Sequence, residues 1–253
     1  MSSIAVFDSG FGGLTVLKQL QRVMPEEKYI FYGDSANAPY GDKTAEELLS
    51  LTSEVCRKIL EQDTVKCFVI ACNTTTSEAM GKLQERFADQ RFVGIEPAVR
   101  RAVRENPGRK VLVLGTTATI RGRRLQNQLR ELEGQAQISL YAATGIVPFV
   151  EGQYSDRAQF EQYLQEAMAP FSEDTDCIVL GCTHFPFVRK ELQACFRKKI
   201  LFYDAAVQVA EETMALLERE GLLEKTGGRG SVLFMNSDPS KIEKEQELLE
   251  IYE

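Results

Sequence analysis

Short apolar runs alternating with helical stretches constrain this chain more than any other feature of it. Residues 4–7, 29–32, 67–71, 91–94, 111–114, 138–141, 177–180 and 200–203 form strand-sized runs, several of them dense in Val, Ile and Phe. Those runs lack strict alternation of apolar and polar residues, which marks strands covered on both faces. Helix starts are readable between them. Thr44-Ala45-Glu46-Glu47 is a capping box, with Leu48, Leu51, Val55 and Ile59 following at helical spacing. Asp204 can cap a helix whose apolar stripe runs Val207, Ala210, Met214 and Leu217. This alternation predicts an α/β protein with mainly parallel sheets.

Composition removes several classes of function. The 253 residues are 43% hydrophobic and 26% charged, enough for one large domain or two modest ones. A formal net charge of −7 argues against a nucleic-acid-binding surface, which needs a basic excess. No apolar run reaches membrane-spanning length, and the first residues show no signal-peptide pattern, so a cytoplasmic protein without a membrane partner is expected. The six cysteines include no C-x-x-C pair, and a disulfide framework is not needed at this size. With a single histidine, His184, a structural zinc site would need widely scattered ligands, and no metal is expected.

The chain resembles itself. Cys67-Phe-Val-Ile-Ala-Cys72-Asn-Thr parallels Cys177-Ile-Val-Leu-Gly-Cys182-Thr-His184. Upstream, Ile4-Ala-Val-Phe-Asp8-Ser9-Gly10 parallels Val111-Leu-Val-Leu-Gly115-Thr116-Thr117, and the separations Asp8–Cys72 and Gly115–Cys182 nearly match. Two pseudo-symmetric α/β halves are the simplest reading, with a crossing near Glu96-Pro97. The apolar run 232–235 and the charged stretch from Lys241 onward have no place assigned by pattern alone.

Ligands of open parallel sheets sit beyond the carboxyl ends of the strands. Four polar clusters fall there: Asp8-Ser9-Gly10, Cys72-Asn73-Thr74, Thr116-Thr117 and Cys182-Thr183-His184. The glycines from Gly10 to Gly13 match neither a phosphate loop nor a dinucleotide fingerprint. Cys72 and Cys182 each precede an expected helix start, where the helix N-terminus should favour the thiolate. Cys56, Cys67, Cys177 and Cys195 read as structural. Two thiols at matching places suit a racemisation, in which one base removes an α-proton and one acid delivers a proton to the opposite side. A redox pair or a hydrolase with His184 as base suits the spacing less well.

Over nearly its whole length the sequence resembles the glutamate racemases of the aspartate/glutamate racemase superfamily. The resemblance is carried by residues 7–14 (Phe-Asp-Ser-Gly-Phe-Gly-Gly-Leu), Pro39-Tyr40-Gly41, Ala71-Cys72-Asn73-Thr74, Val113-Leu114-Gly115-Thr116 and Gly181-Cys182-Thr183-His184-Phe185-Pro186. It implies catalytic Cys72 and Cys182, with Cys72 serving the D-isomer and Cys182 the L-isomer. It also implies substrate contacts from Asp8, Ser9, Tyr40, Gly41, Asn73, Thr74, Thr183 and His184. The reaction it implies is interconversion of L- and D-glutamate without pyridoxal phosphate, metal or other cofactor, supplying D-glutamate for the bacterial cell wall. The implied fold has two similar α/β domains enclosing the substrate in the cleft between them, with the C-terminal segment returning to the first. The expected division is 1–97 with 204–253, and 98–203; a homodimer is expected. The family's acidic position after a Val corresponds to Glu151, but the glycine beyond it is displaced, and Glu151 is left out of the site. Further departures are Phe185 for the common Tyr, Asn37-Ala38 before Pro39, and the residues 121–125. The competing readings are a racemase for aspartate or another dicarboxylate, a non-catalytic amino-acid-binding regulatory protein, and a thiol redox protein.

Overall fold

The computed structural model describes residues 2–152, 156–225 and 227–251. Its strands are β1 Ser3–Asp8, β2 Tyr29–Gly33, β3 Val65–Ile70, β4 Phe92–Gly94, β5 Lys110–Gly115, β6 Gln137–Ala142, β7 Cys177–Gly181, β8 Leu201–Tyr203 and β9 Val232–Asn236. The first eight coincide with the eight expected runs, with ends moved by a residue or two. The ninth is the apolar run that pattern could not place. By contacts the chain separates into two compact units, Met1–Ile95 with Ala206–Glu253, and Glu96–Ala205.

The sheet of the first unit has the order β4-β3-β1-β2-β9, and that of the second β6-β5-β7-β8. All pairings are parallel. Matching β5 to β1, β6 to β2, β7 to β3 and β8 to β4 gives one shared order, so the halves are topological repeats. The first adds β9 at its open edge, paired with β2 from Tyr29↔Val232 to Gly33↔Asn236.

Every residue of β1 and β3 is buried, as continuous apolar strands require. On one face of the first sheet, Phe7, Ile30, Phe68 and Ile70 pack with Leu48, Val55 and Ile59 of the helix Ala45–Gln62. That helix opens with the expected capping box: Thr44 Oγ1 accepts from the Glu47 N–H at 3.3 Å, and Glu47 accepts from the Thr44 N–H at 2.8 Å. The helix Leu14–Val23 packs along Ala206–Arg219, which lies against β3 and β4. Of the expected stripe of Ala206–Arg219, Ala210 and Leu217 are buried, and Ala206, Val209 and Thr213 are buried with them. Val207 and Met214 are only partly buried. In the second unit, Leu112, Leu114, Ile178 and Leu180 pack with Phe160, Leu164 and Met168 of the helix Arg157–Met168.

A buried ion pair ties the returning C-terminal segment to the first sheet. Lys66 Nζ lies 2.7 Å from Glu27 Oε2, with both side chains almost wholly buried. It also donates to the Leu222 carbonyl at 2.8 Å, while Glu27 Oε1 accepts from the Glu224 N–H at 2.9 Å. Breaking such a pair leaves a charge buried without a partner. Lys66→Met should therefore cost about 3–5 kcal/mol in urea unfolding, and adding Glu27→Gln should recover much of it. A Lys66→Met protein as stable as wild type would contradict the assignment.

Candidate active site

Parallel pairing gathers the strand ends of each unit at one edge. In the first unit, Asp8 is the last residue of β1 and is fully buried. Its Oδ2 accepts from the Gly10 N–H at 3.1 Å, so the glycine loop closes on Asp8. Gly13 carries the chain into the helix Leu14–Val23. A Cβ there would lie 2.6 Å from that of Asp8, so only glycine lets the helix start this close.

Cys72 follows β3, immediately beside β1, and caps the helix Asn73–Glu78; its carbonyl takes the Thr76 N–H at 2.9 Å. Its Sγ lies 3.6 Å from Ser9 Oγ. Asn73 and Thr74 occupy the first turn and are buried. Asn73 Oδ1 has no partner among the described residues, a buried acceptor that a ligand N–H would satisfy. Tyr40 is buried over Phe7, with ring centroids 6.2 Å apart, and Gly41 follows it in the chain. Asp8, Ser9, Cys72, Asn73 and Thr74 thus share the carboxyl edge of one sheet, with Tyr40 packed over Phe7 near the end of β1.

The Cys72 thiol departs from expectation. Burial pushes it up to about 11, and the negative charge of Asp8 adds to this. Hydrogen bonding from Thr75 and Ser9 pulls the other way and does not prevail. The expected acidification by the helix N-terminus is overridden because Cys72 caps the hydrophobic cluster as well as the helix, and that helix has only six residues.

In the second unit Cys182 follows β7, the counterpart of β3, with Thr183 and His184 after it, all buried. The expected helix start at Phe185–Val188 is a 3-10 turn, followed by the helix Arg189–Ala194. His184 Nδ1 lies 3.7 Å from Cys182 Sγ, and His184 Nε2 lies 2.5 Å from Glu151 Oε1. Glu151, 4% exposed, lies outside the site expected from sequence, and the fold brings it to the histidine across 33 positions. Its one sequence signal was the acidic position after a Val. Burial pulls the His184 pKa down, but hydrogen bonds to Cys182 and Glu151 and the charge of Glu151 carry it well above 6.5. The carboxylate of Glu151 is an acceptor for Nε2–H, and Nδ1 faces the Cys182 sulfur. Thr116, at the end of β5, caps the helix Thr117–Arg121 by accepting from the Thr119 N–H at 3.1 Å.

Each unit therefore presents a buried thiol with its own polar partner at the end of an equivalent strand. A family model described as Asp/Glu/Hydantoin racemase matches residues 14–213, and the chain belongs to that family. Within it, a glutamate racemase of Clostridium botulinum is 34% identical over 250 residues, covering 98% of this chain and 96% of the relative. The structure of Escherichia coli glutamate racemase in complex with L-glutamate and the activator UDP-MurNAc-Ala superposes with a TM-score of 0.84 at 26% identity, covering 100% of this chain and 96% of that one. That of Francisella tularensis in complex with D-glutamate gives 0.80 at 26%, covering 98% and 93%.

Because His184 is the only histidine, its ring resonances in a proton NMR titration are unambiguous. They should keep their imidazolium positions as pH is raised past 6.5, and Glu151→Gln should move the midpoint down. A wild-type midpoint at 6.5 would contradict the pairing with Glu151 and Cys182.

Proposed function

We propose that this chain interconverts L- and D-glutamate without a cofactor, Cys72 and Cys182 acting as the two acid–base groups. The observation that carries this reading is the repeat itself: equivalent strands β3 and β7 are each followed by a buried cysteine with its own polar partner. Relatives and solved structures named glutamate racemase, matching over nearly the full length, supply the substrate.

In one direction a thiolate removes the α-proton, leaving the electron pair delocalised into the α-carboxylate, and the other thiol donates its proton to the opposite face. After each turnover the two sulfurs have exchanged protonation states, and the reverse reaction restores them. Asp8 and the unpaired Oδ1 of Asn73 serve as acceptors for the substrate ammonium. Thr74, Thr183 and Ser9 serve the carboxylates, and Tyr40-Gly41 contributes backbone donors. A bound ammonium would offset the charge of Asp8 and ease ionisation of Cys72. The Glu151–His184 relay offers Cys182 a proton partner. By family resemblance Cys72 works on the D-isomer and Cys182 on the L-isomer. The product D-glutamate is assigned to peptidoglycan synthesis in the cytoplasm, by an enzyme working as a homodimer.

Circular dichroism of purified protein with chelator and no added cofactor should show loss of optical activity from either glutamate enantiomer. Cys72→Ser and Cys182→Ser should each lower turnover by about 10²–10⁴-fold, since a serine hydroxyl is too weak an acid to replace the thiol. Wild-type rates in both variants, or turnover of aspartate in place of glutamate, would overturn the reading.

A further inference from the structure

Asp34 follows β2 directly and is 2% exposed. Its carboxylate accepts from Asn37 Nδ2 at 2.9 and 3.1 Å and from the Tyr40 hydroxyl at 2.5 Å. A phenol carries one proton, and here it is committed to a charged acceptor in a short, charge-assisted bond. The phenol is also held far from ionisation, first by burial and then by the charge of Asp34. The Tyr40 side chain therefore has no proton left to offer a substrate carboxylate. What the Tyr40-Gly41 turn retains is backbone: among the described residues neither N–H makes a hydrogen bond, while the Tyr40 carbonyl is tied to the Lys43 N–H at 3.2 Å.

The segment carrying Asp34 is clamped from a distant part of the chain. Ser237 Oγ accepts from the Ala36 N–H at 3.0 Å, and the Ser237 N–H donates to the Gly33 carbonyl at 3.0 Å. Asn236 Nδ2 donates to Ser35 Oγ at 3.1 Å and to Glu245 Oε1 at 2.6 Å. Glu245, on the C-terminal helix Ile242–Ile251, is fully buried. A Cβ on Gly33 would lie 2.3 Å from Glu245 Oε1, so glycine at the end of β2 is what admits that carboxylate. The returning segment thus braces residues 33–37, and Asp34 passes the constraint to Tyr40.

We propose that Asp34 is a positioning residue: it converts the Tyr40 side chain into a strut, so that the Tyr40 and Gly41 N–H groups, and not the phenol, meet a substrate carboxylate. This rests on the glutamate racemase reading above.

The test is a double-mutant cycle in the full-length protein with Tyr40→Phe, Asp34→Asn and both, reading KM and kcat for each enantiomer together with the thermal midpoint. Each single change should raise KM by about tenfold with kcat held within about threefold, because uniform binding is lost and chemistry is not. The double variant should be no worse than the worse single. A KM in the double equal to the product of the single effects would show independent contacts, with the phenol touching substrate directly, and would overturn the proposal. Lower midpoints with unchanged KM would reduce Asp34 to a structural role and overturn it too. Should Asp34→Asn fail to fold, Ser237→Ala decides from outside the site. A KM raised about threefold supports the brace, and an unchanged KM overturns it. Absence of racemisation in wild type would defeat the functional reading instead, so the two failures are distinguishable.

Discussion

Parallel pairing around β1 and β5 is the constraint on which the rest of the structure depends. A parallel strand cannot return by a tight turn, so each strand is followed by a crossover, and all carboxyl ends of a sheet open at one edge. Burial on both faces leaves the sheets without solvated surface in their middle strands, and the polar groups of the chain are driven to those ends. Asp8, Asp34 and Cys72 follow directly from that placement, as do Thr116 and Cys182. Because the order β4-β3-β1-β2 is repeated as β8-β7-β5-β6, the two cysteines occupy equivalent positions.

That equivalence is topological and not electrostatic. Cys72 sits above a hydrophobic cluster with Asp8 nearby, and its thiol is held up at about 11. Cys182 has instead an imidazole at 3.7 Å, backed by a carboxylate. One thiol thus sits where burial and a neighbouring carboxylate disfavour its ionised form, and the other lies beside an imidazole. A two-base racemisation tolerates this difference, since each sulfur must be base in one direction and acid in the other.

Much of the fold was legible because fully buried strands read as apolar runs, and eight of them stand in the sequence with nearly their true bounds. β9 was not legible as part of a sheet: it is an edge strand with Leu233 43% exposed, and nothing local says that residue 232 pairs with residue 29. The thiols and the residues flanking them were legible from the internal repeat. Glu151 was not, since its partner His184 is reached only through the tertiary fold. Asp34 obeys the same strand-end rule as Asp8, yet no motif or repeat in the sequence marks it. The acidity of Cys72 was misjudged because a helix N-terminus is visible in sequence whereas desolvation is not. The stripe of Ala206–Arg219 was half legible: Ala210 and Leu217 are buried as expected, while Val207 and Met214 are only partly so.

The central claim is that two different sulfurs serve the two sides of the α-carbon. Turnover of each pure glutamate enantiomer in heavy water, stopped early and read by mass spectrometry after chiral separation, tests it directly. With one thiol removing hydrogen and the other delivering it from solvent, deuterium should enter the product enantiomer while unreacted substrate remains largely protiated. Comparable early labelling of substrate and product would mean that a single group handles both faces, and would contradict the account.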